Sequence, residues 1–127
     1  MKVGINGMGR IGRLALRAAF GAAERQADDP CAGNRLQVVH LNELKGGAAT
    51  TAHLLAFDTV QGKWRTPIAA EGEDRVRIGD KTLSFSSHAT PAEIPWGELG
   101  VDLVLECTGK FLTPETLQGH LDRGAQR

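Results

Sequence analysis

Lys2-Val3-Gly4-Ile5-Asn6-Gly7-Met8-Gly9-Arg10-Ile11-Gly12-Arg13 opens the chain and decides the reading of its fold. Lys2 to Asn6 reads as a short strand with Val3 and Ile5 on one face. Its brevity and the Gly-rich turn after it suit a buried parallel strand. Arg10 to Arg25 reads as a helix, with Ile11, Leu14, Ala15, Ala18 and Ala22 forming an apolar stripe. Between strand and helix, Gly7-Met8-Gly9-Arg10-Ile11-Gly12 matches G-x-G-x-x-G in the context that gives the pattern meaning. Gly7 permits the tight turn, Gly9 lets a pyrophosphate approach bare backbone, and Gly12 lets the helix lie close to the strand. The unpaired N–H groups of the helix start and its dipole then face the anion. Arg10 stands at that same end. The alternative is a Gly-rich strand–helix turn that holds no ligand.

Downstream, Ala27 to Asn34 is polar, carries Pro30 and Gly33, and reads as a surface loop. Leu36 to Leu41 is a second strand, with Asn42 and Glu43 at its C-terminal end. A carboxylate there accepts hydrogen bonds from the adenine ribose hydroxyls. It favours NAD and repels the 2′-phosphate of NADP, although Lys45 and Arg35 could soften that repulsion. Glu43 stands farther from Gly12 than the roughly 20 residues usual for the pattern, and the Asp28–Asn34 loop accounts for the excess. The alternative for Glu43 is a solvated acid at a strand end. Gly46 to Phe57 reads as a helix, and Asp58 to Trp64 as a connection.

Arg75–Ile78 and Lys81–Phe85 alternate with period 2 around Gly79-Asp80, which reads as a β-hairpin inserted in the α/β pattern. Val101 to Glu106 reads as a further strand, apolar enough for burial on both faces. Thr113-Pro114-Glu115 opens a helix by N-cap, N1 proline and dipole preference. Leu117 and Leu121 share one face of it, and Gly124 ends it. The fold class is therefore α/β, a parallel sheet with an antiparallel hairpin. A helix of this kind ordinarily returns the chain to another parallel strand. None follows Arg127, so the expectation is a fragment or a truncated product.

Composition narrows the function. The 127 residues carry 15 Lys+Arg and 15 Asp+Glu, so no basic surplus exists to neutralise a nucleic-acid backbone. No apolar run reaches the roughly 20 residues needed to span a bilayer, and the N-terminus lacks the apolar core of a signal peptide. A cytoplasmic location is the expectation. Cys31 and Cys107 make no disulfide framework and read as thiols. His40, His53, His88 and His120 have no metal-ligand spacing and read as satisfied or exposed side chains.

The opening segment resembles the start of phosphorylating glyceraldehyde-3-phosphate dehydrogenase. The resemblance extends through Phe57-Asp58-Thr59-Val60-Gln61-Gly62-Lys63-Trp64 and Glu106-Cys107-Thr108-Gly109-Lys110-Phe111, and covers nearly all of the chain. Leu41-Asn42-Glu43-Leu44-Lys45-Gly46 is more similar to the subgroup associated with arsenic resistance. The resemblance implies that residues 1–127 form an NAD-binding Rossmann domain. It places Asn6, Gly7, Gly9, Arg10 and Ile11 at the pyrophosphate, Glu43 at the adenosine ribose, and Cys107, Thr108 and Gly109 near the nicotinamide. Where the family tends to carry an Arg near the adenine, this chain has Ser87-His88-Ala89. The family's nucleophilic cysteine and its partner histidine match no residue here, so no catalytic residue is assigned, and a role for Cys107 as nucleophile is not implied. The implied function is the cofactor-binding half of an aldehyde-oxidising dehydrogenase with phosphate or arsenate as acyl acceptor, a homo-oligomer at full length. The alternatives are a stand-alone, catalytically inactive dinucleotide-binding module and a reductase of the dihydrodipicolinate-reductase type. The second and third blocks count against the reductase.

Overall fold

The structure, a computed structural model, describes residues 1–25, 36–58 and 62–127. The expected loop over Asp28–Asn34, with Cys31, and Arg35 and Thr59–Gln61 lie outside the described residues.

The strand β1 (Lys2–Asn6) leads into α1 (Arg10–Arg25), and β2 (Gln37–Asn42) into α2 (Gly47–Ala56). A small antiparallel pair, β3 (Phe57–Asp58) and β4 (Gly62–Lys63), occupies the expected connection. Then come β5 (Ile68–Ala70), β6 (Arg75–Ile78), β7 (Lys81–Ser86), a 3₁₀ turn over Pro91–Glu93, β8 (Leu103–Glu106) and α3 (Pro114–Asp122). Six strands form one sheet in the order β5-β6-β7-β2-β1-β8. The four strands β7, β2, β1 and β8 run parallel. The expected hairpin is present, but it is not a separate insert: β7 pairs parallel with β2, and β6 and β5 extend the sheet antiparallel from it.

The chain builds from β1 outward through β2 to β7, then crosses to β8 on the other side of β1. That reversal is a topological switch point, and its crevice opens at the carboxyl ends of the parallel strands.

One apolar cluster joins Val3, Ile5, Leu41 and Phe85 of the strands to Leu16 of α1 and Ala48, Ala52 and Leu55 of α2. A second, around Trp96, Ile94 and Val101, packs Trp96 against the backbone of Gly4. Residues alternate between the two faces along β1, as a strand requires.

Three expectations change. The inward face of α1 is not the stripe through Ile11 and Ala18: Ile11 is 63% exposed, whereas Gly12 and Leu16 are buried and Ala19 and Phe20 pack on the core. Gly12 sits so close to the Gly7 carbonyl that any Cβ would collide with it. That contact fixes the helix rotation, and positions 4, 7 and 8 residues on follow Gly12 onto the sheet. Second, β8 is only half-buried, because β1 flanks it on one side alone among the described strands. Third, Leu121 of α3 is exposed, and the side chain that α3 buries is His120. The capping itself is as expected: Thr113 Oγ1 accepts the Thr116 N–H at 3.3 Å, and Gly124 takes a φ of 108° after the last turn. Among the described residues no helix is long and apolar enough to cross a membrane.

Candidate dinucleotide site

The turn after β1 is tied to both neighbouring strands. Gly7 N–H donates to the Asn42 carbonyl at 2.8 Å, and Cys107 N–H donates to the Asn6 carbonyl at 2.7 Å. Gly7 has a φ of 95°, and a Cβ there would lie 2.7 Å from the Thr108 nitrogen, so only glycine fits. Arg13 holds the turn from behind, its guanidinium donating to the Met8 carbonyl at 3.1 Å. The first backbone bond of α1 runs from Arg13 N–H to the Gly9 carbonyl, 3.0 Å. The N–H groups of Arg10, Ile11 and Gly12 precede it and have no carbonyl partner within the helix. No acidic residue lies in the first turn of α1 to neutralise that end.

Here a groove opens along the carboxyl ends of β2, β1 and β8. Asn6, Gly7 and Gly9 form its floor, Asn42 and Glu43 one wall, and Cys107 and Thr108 the other. Leu44, Lys45, His88, Ala89, Lys110 and Phe111 complete it. Gly9 is exposed, and a Cβ built on it would meet nothing within 4 Å. The space that side chain would fill is groove, which is what a pyrophosphate approaching bare backbone needs. Gly12 lies beneath the turn, Arg10 and Ile11 are exposed at the helix start, and Gly109 is exposed with a φ of 71°. The structure therefore brings Asn6, Gly7, Gly9, Asn42, Glu43, Cys107 and Thr108 to one groove, and puts Arg10, Ile11, Gly12 and Gly109 beside it or below.

Glu43 is not a solvated acid at a strand end. Its Oε2 accepts the Met8 N–H at 2.6 Å, and its Oε1 accepts the Lys45 N–H at 3.3 Å. The carboxylate bridges the phosphate turn and the loop after β2, and each oxygen keeps a lone pair for a hydroxyl donor. Asn42, the cofactor-binding candidate beside it at the end of β2, lines the groove with its amide engaged by neighbouring residues. Its Nδ2 donates to Asn6 Oδ1 at 2.8 Å and to the His88 carbonyl at 3.0 Å, and its Oδ1 accepts the His88 N–H at 2.9 Å. It fixes the loop after β7, which places His88 on the groove.

Cys107 lines the groove as a thiol. Burial pushes its pKa up, and the neighbouring Glu106 charge adds to the shift, so little nucleophilic thiolate is present at neutral pH. Burial would also push Glu106 up, but hydrogen bonds from His120, Thr108 and Asn6 outweigh it and hold that carboxyl below the usual range. His40 is buried between Ser84 and Ser86, at 2.6 and 2.7 Å. Burial, and then the charge of His88, lower its pKa to about 4. Glu106 and Lys110 were not singled out as site residues from the sequence, whereas His88 lies in the Ser87–Ala89 segment that the resemblance set near the adenine. The signal available for Glu106 was an acid ending an apolar strand beside a Gly-rich turn.

The sequence profile described as glyceraldehyde 3-phosphate dehydrogenase, NAD binding domain, matches residues 1–114. Glyceraldehyde-3-phosphate dehydrogenase 3 of Nostoc sp. is 52% identical over 127 residues, which is 100% of this chain and 34% of that protein. The plasmid-encoded glyceraldehyde-3-phosphate dehydrogenase of Cupriavidus necator is 42% identical, again over 100% of this chain and 35% of its own length. Glyceraldehyde-3-phosphate dehydrogenase 1 of Streptomyces avermitilis is 43% identical, over 100% and 34%. The chain thus spans about a third of the length of the curated relatives it matches.

Proposed function

The chain belongs to the glyceraldehyde 3-phosphate dehydrogenase NAD-binding domain family, and from that premise we propose how its residues hold the cofactor and what the whole protein does with it. Residues 1–127 act as one dinucleotide-binding domain. Asn6, Gly7, Gly9, Arg10, Ile11 and Gly12 shape the turn, which presents backbone N–H groups and the positive end of α1 to the pyrophosphate. Glu43 receives the adenosine ribose hydroxyls. Cys107, Thr108 and Gly109 border the half of the groove over β8. That half takes the nicotinamide, since the ribose acid stands on the opposite side of β1.

The observation that carries this reading is the Glu43 carboxylate, held in the groove by the phosphate turn itself. A negative charge at that point accepts ribose hydroxyls and repels a 2′-phosphate, so NAD is preferred to NADP. Bound NAD supplies the hydride acceptor. The whole protein is then an aldehyde dehydrogenase acting on glyceraldehyde 3-phosphate, with phosphate or arsenate as acyl acceptor. Cys107 is not its nucleophile, because its thiol is held protonated. A cytoplasmic homo-oligomer that binds neither nucleic acid nor membrane belongs with this reading. Calorimetric titration of the folded protein with NAD and with NADP tests it. Tighter binding of NAD supports the assignment of Glu43, and equal or tighter binding of NADP contradicts it.

A further inference from the structure

The last rung of the parallel sheet is polar from end to end. Ser86, Asn42, Asn6 and Glu106 each end a strand, and they pair across β7, β2, β1 and β8 in register. One residue earlier the same rung is apolar: Phe85, Leu41, Ile5 and Leu105. Hydrogen bonds run along the polar row. Ser86 Oγ donates to Asn42 Oδ1 at 2.7 Å, Asn42 Nδ2 to Asn6 Oδ1 at 2.8 Å, and Asn6 Nδ2 to Glu106 Oε2 at 2.7 Å.

Glu106 closes the row, and its carboxylate is shared out completely. Oε1 accepts the backbone N–H of Thr108 at 2.9 Å and the Thr108 hydroxyl. Oε2 also takes His120 Nε2 at 2.8 Å. The other ring nitrogen of His120 is engaged by Trp96, whose indole N–H donates to Nδ1 at 2.9 Å. An indole N–H only donates, so Nδ1 carries no proton. The ring proton therefore sits on Nε2 and points at Glu106. Trp96 is fully buried and His120 is 5% exposed, so this orientation is locked by packing.

A chain of contacts thus runs from the Trp96 core to the groove wall. Trp96 orients His120, His120 orients Glu106, and Glu106 sets the Thr108 backbone. Thr108 in turn abuts Gly7 of the phosphate turn. Among the described residues the wall on the β8 side shows no other side-chain anchor of this kind: Lys110 N–H itself rests on the Thr108 hydroxyl at 3.1 Å. On the β2 side, where the adenosine ribose lies, Glu43 is held by the Met8 N–H, a bond that does not pass through Glu106.

We propose that His120 and Glu106 are positioning residues for the nicotinamide half of the dinucleotide, acting through Thr108 while the adenosine half is held independently. This rests on the NAD reading above. The test compares NAD with ADP-ribose, which lacks the nicotinamide, by calorimetry on the purified protein. His120→Ala should weaken NAD about tenfold and leave ADP-ribose within about twofold. His120→Gln, whose amide can face both Glu106 and Trp96, should restore NAD binding. Equal losses for both ligands, no loss for either, or a Gln variant as weak as the Ala variant overturns the proposal.

A second measurement needs no His120 variant. The chain has two tryptophans, and the Trp64→Phe protein identifies which indole N–H resonance belongs to Trp96. That resonance should move on adding NAD and stay in place with ADP-ribose. Movement with both ligands, or with neither, overturns the proposal. A folded wild-type protein that binds ADP-ribose but gains nothing from the nicotinamide refutes this inference alone. One that binds neither ligand refutes the dinucleotide reading beneath it.

Discussion

Replacing Glu43 by Ser separates what the carboxylate does for the cofactor from what it does for the fold. Its oxygens accept backbone N–H groups of Met8 and Lys45, at 2.6 and 3.3 Å. Hydrogen bonds from hydroxyls to a charged acceptor contribute about 1.5–3 kcal/mol. The lower end applies in an open groove, so Glu43→Ser should weaken NAD about tenfold. The same change removes a repulsion. A charge pair at contact near a protein surface is worth about 4 kcal/mol, and solvent and salt screen more than half of that. NADP should therefore gain about tenfold, and the preference ratio should narrow by about two orders of magnitude. Glu43→Gln supplies the control. It keeps the reach to Met8 N–H through its amide oxygen, while it loses the charge and sets an amide NH2 where Oε1 accepted the Lys45 N–H. The ratio should narrow in both variants, whereas the midpoint of thermal unfolding should fall more in the Ser variant. Calorimetric titration with both dinucleotides, alongside thermal melts, reads both quantities. A ratio unchanged in both variants would refute the assignment of Glu43 as ribose acceptor.

Three other outcomes follow from the same geometry. Gly9→Ala adds a Cβ that touches no protein atom within 4 Å. Stability should stay within about 0.5 kcal/mol while NAD binding falls tenfold or more. A variant with undiminished NAD affinity would favour the turn that holds no ligand. His40 stays neutral down to about pH 4 in the fold but takes a proton near 6.5 when unfolded. The unfolded state then binds more protons between these values, so stability is lost as pH falls from 6.5 to 4, by about 3 kcal/mol. Urea midpoints at several pH values should show this slope in the wild type and a shallower one in His40→Gln; equal slopes would place the acid sensitivity elsewhere. Thr113→Ala removes the α3 cap and should cost about 1 kcal/mol without altering NAD affinity; a loss of affinity would link α3's start to the groove.

Local features were legible in the sequence because their causes are local. The β1–turn–α1 unit follows from Gly7, Gly9 and Gly12, the β6–β7 hairpin from alternation around Gly79-Asp80, and the α3 start from Thr113-Pro114. The rotation of α1 was not legible, because apolar residues cover a broad arc opposite Arg10, Arg13 and Arg17, and the Gly12–Gly7 contact decides which part of that arc turns inward. The pairs β3–β4 and the strand β5 are two or three residues long, too short to show a period. The polar rung and the burial of His120 depend on register between strands far apart in sequence, which no spacing along the chain reveals. For the site, the phosphate turn and Glu43 stood out by residue type and order. Glu106 did not, because its partners Asn6, Thr108 and His120 converge only in three dimensions.

The most direct measurement is a crystal structure of the protein grown with NAD. The account predicts the pyrophosphate on the Gly7–Gly12 turn, the adenosine ribose hydroxyls on the Glu43 carboxylate, and the nicotinamide over Cys107 and Thr108. Dinucleotide density elsewhere, or a ribose turned away from Glu43, would contradict it.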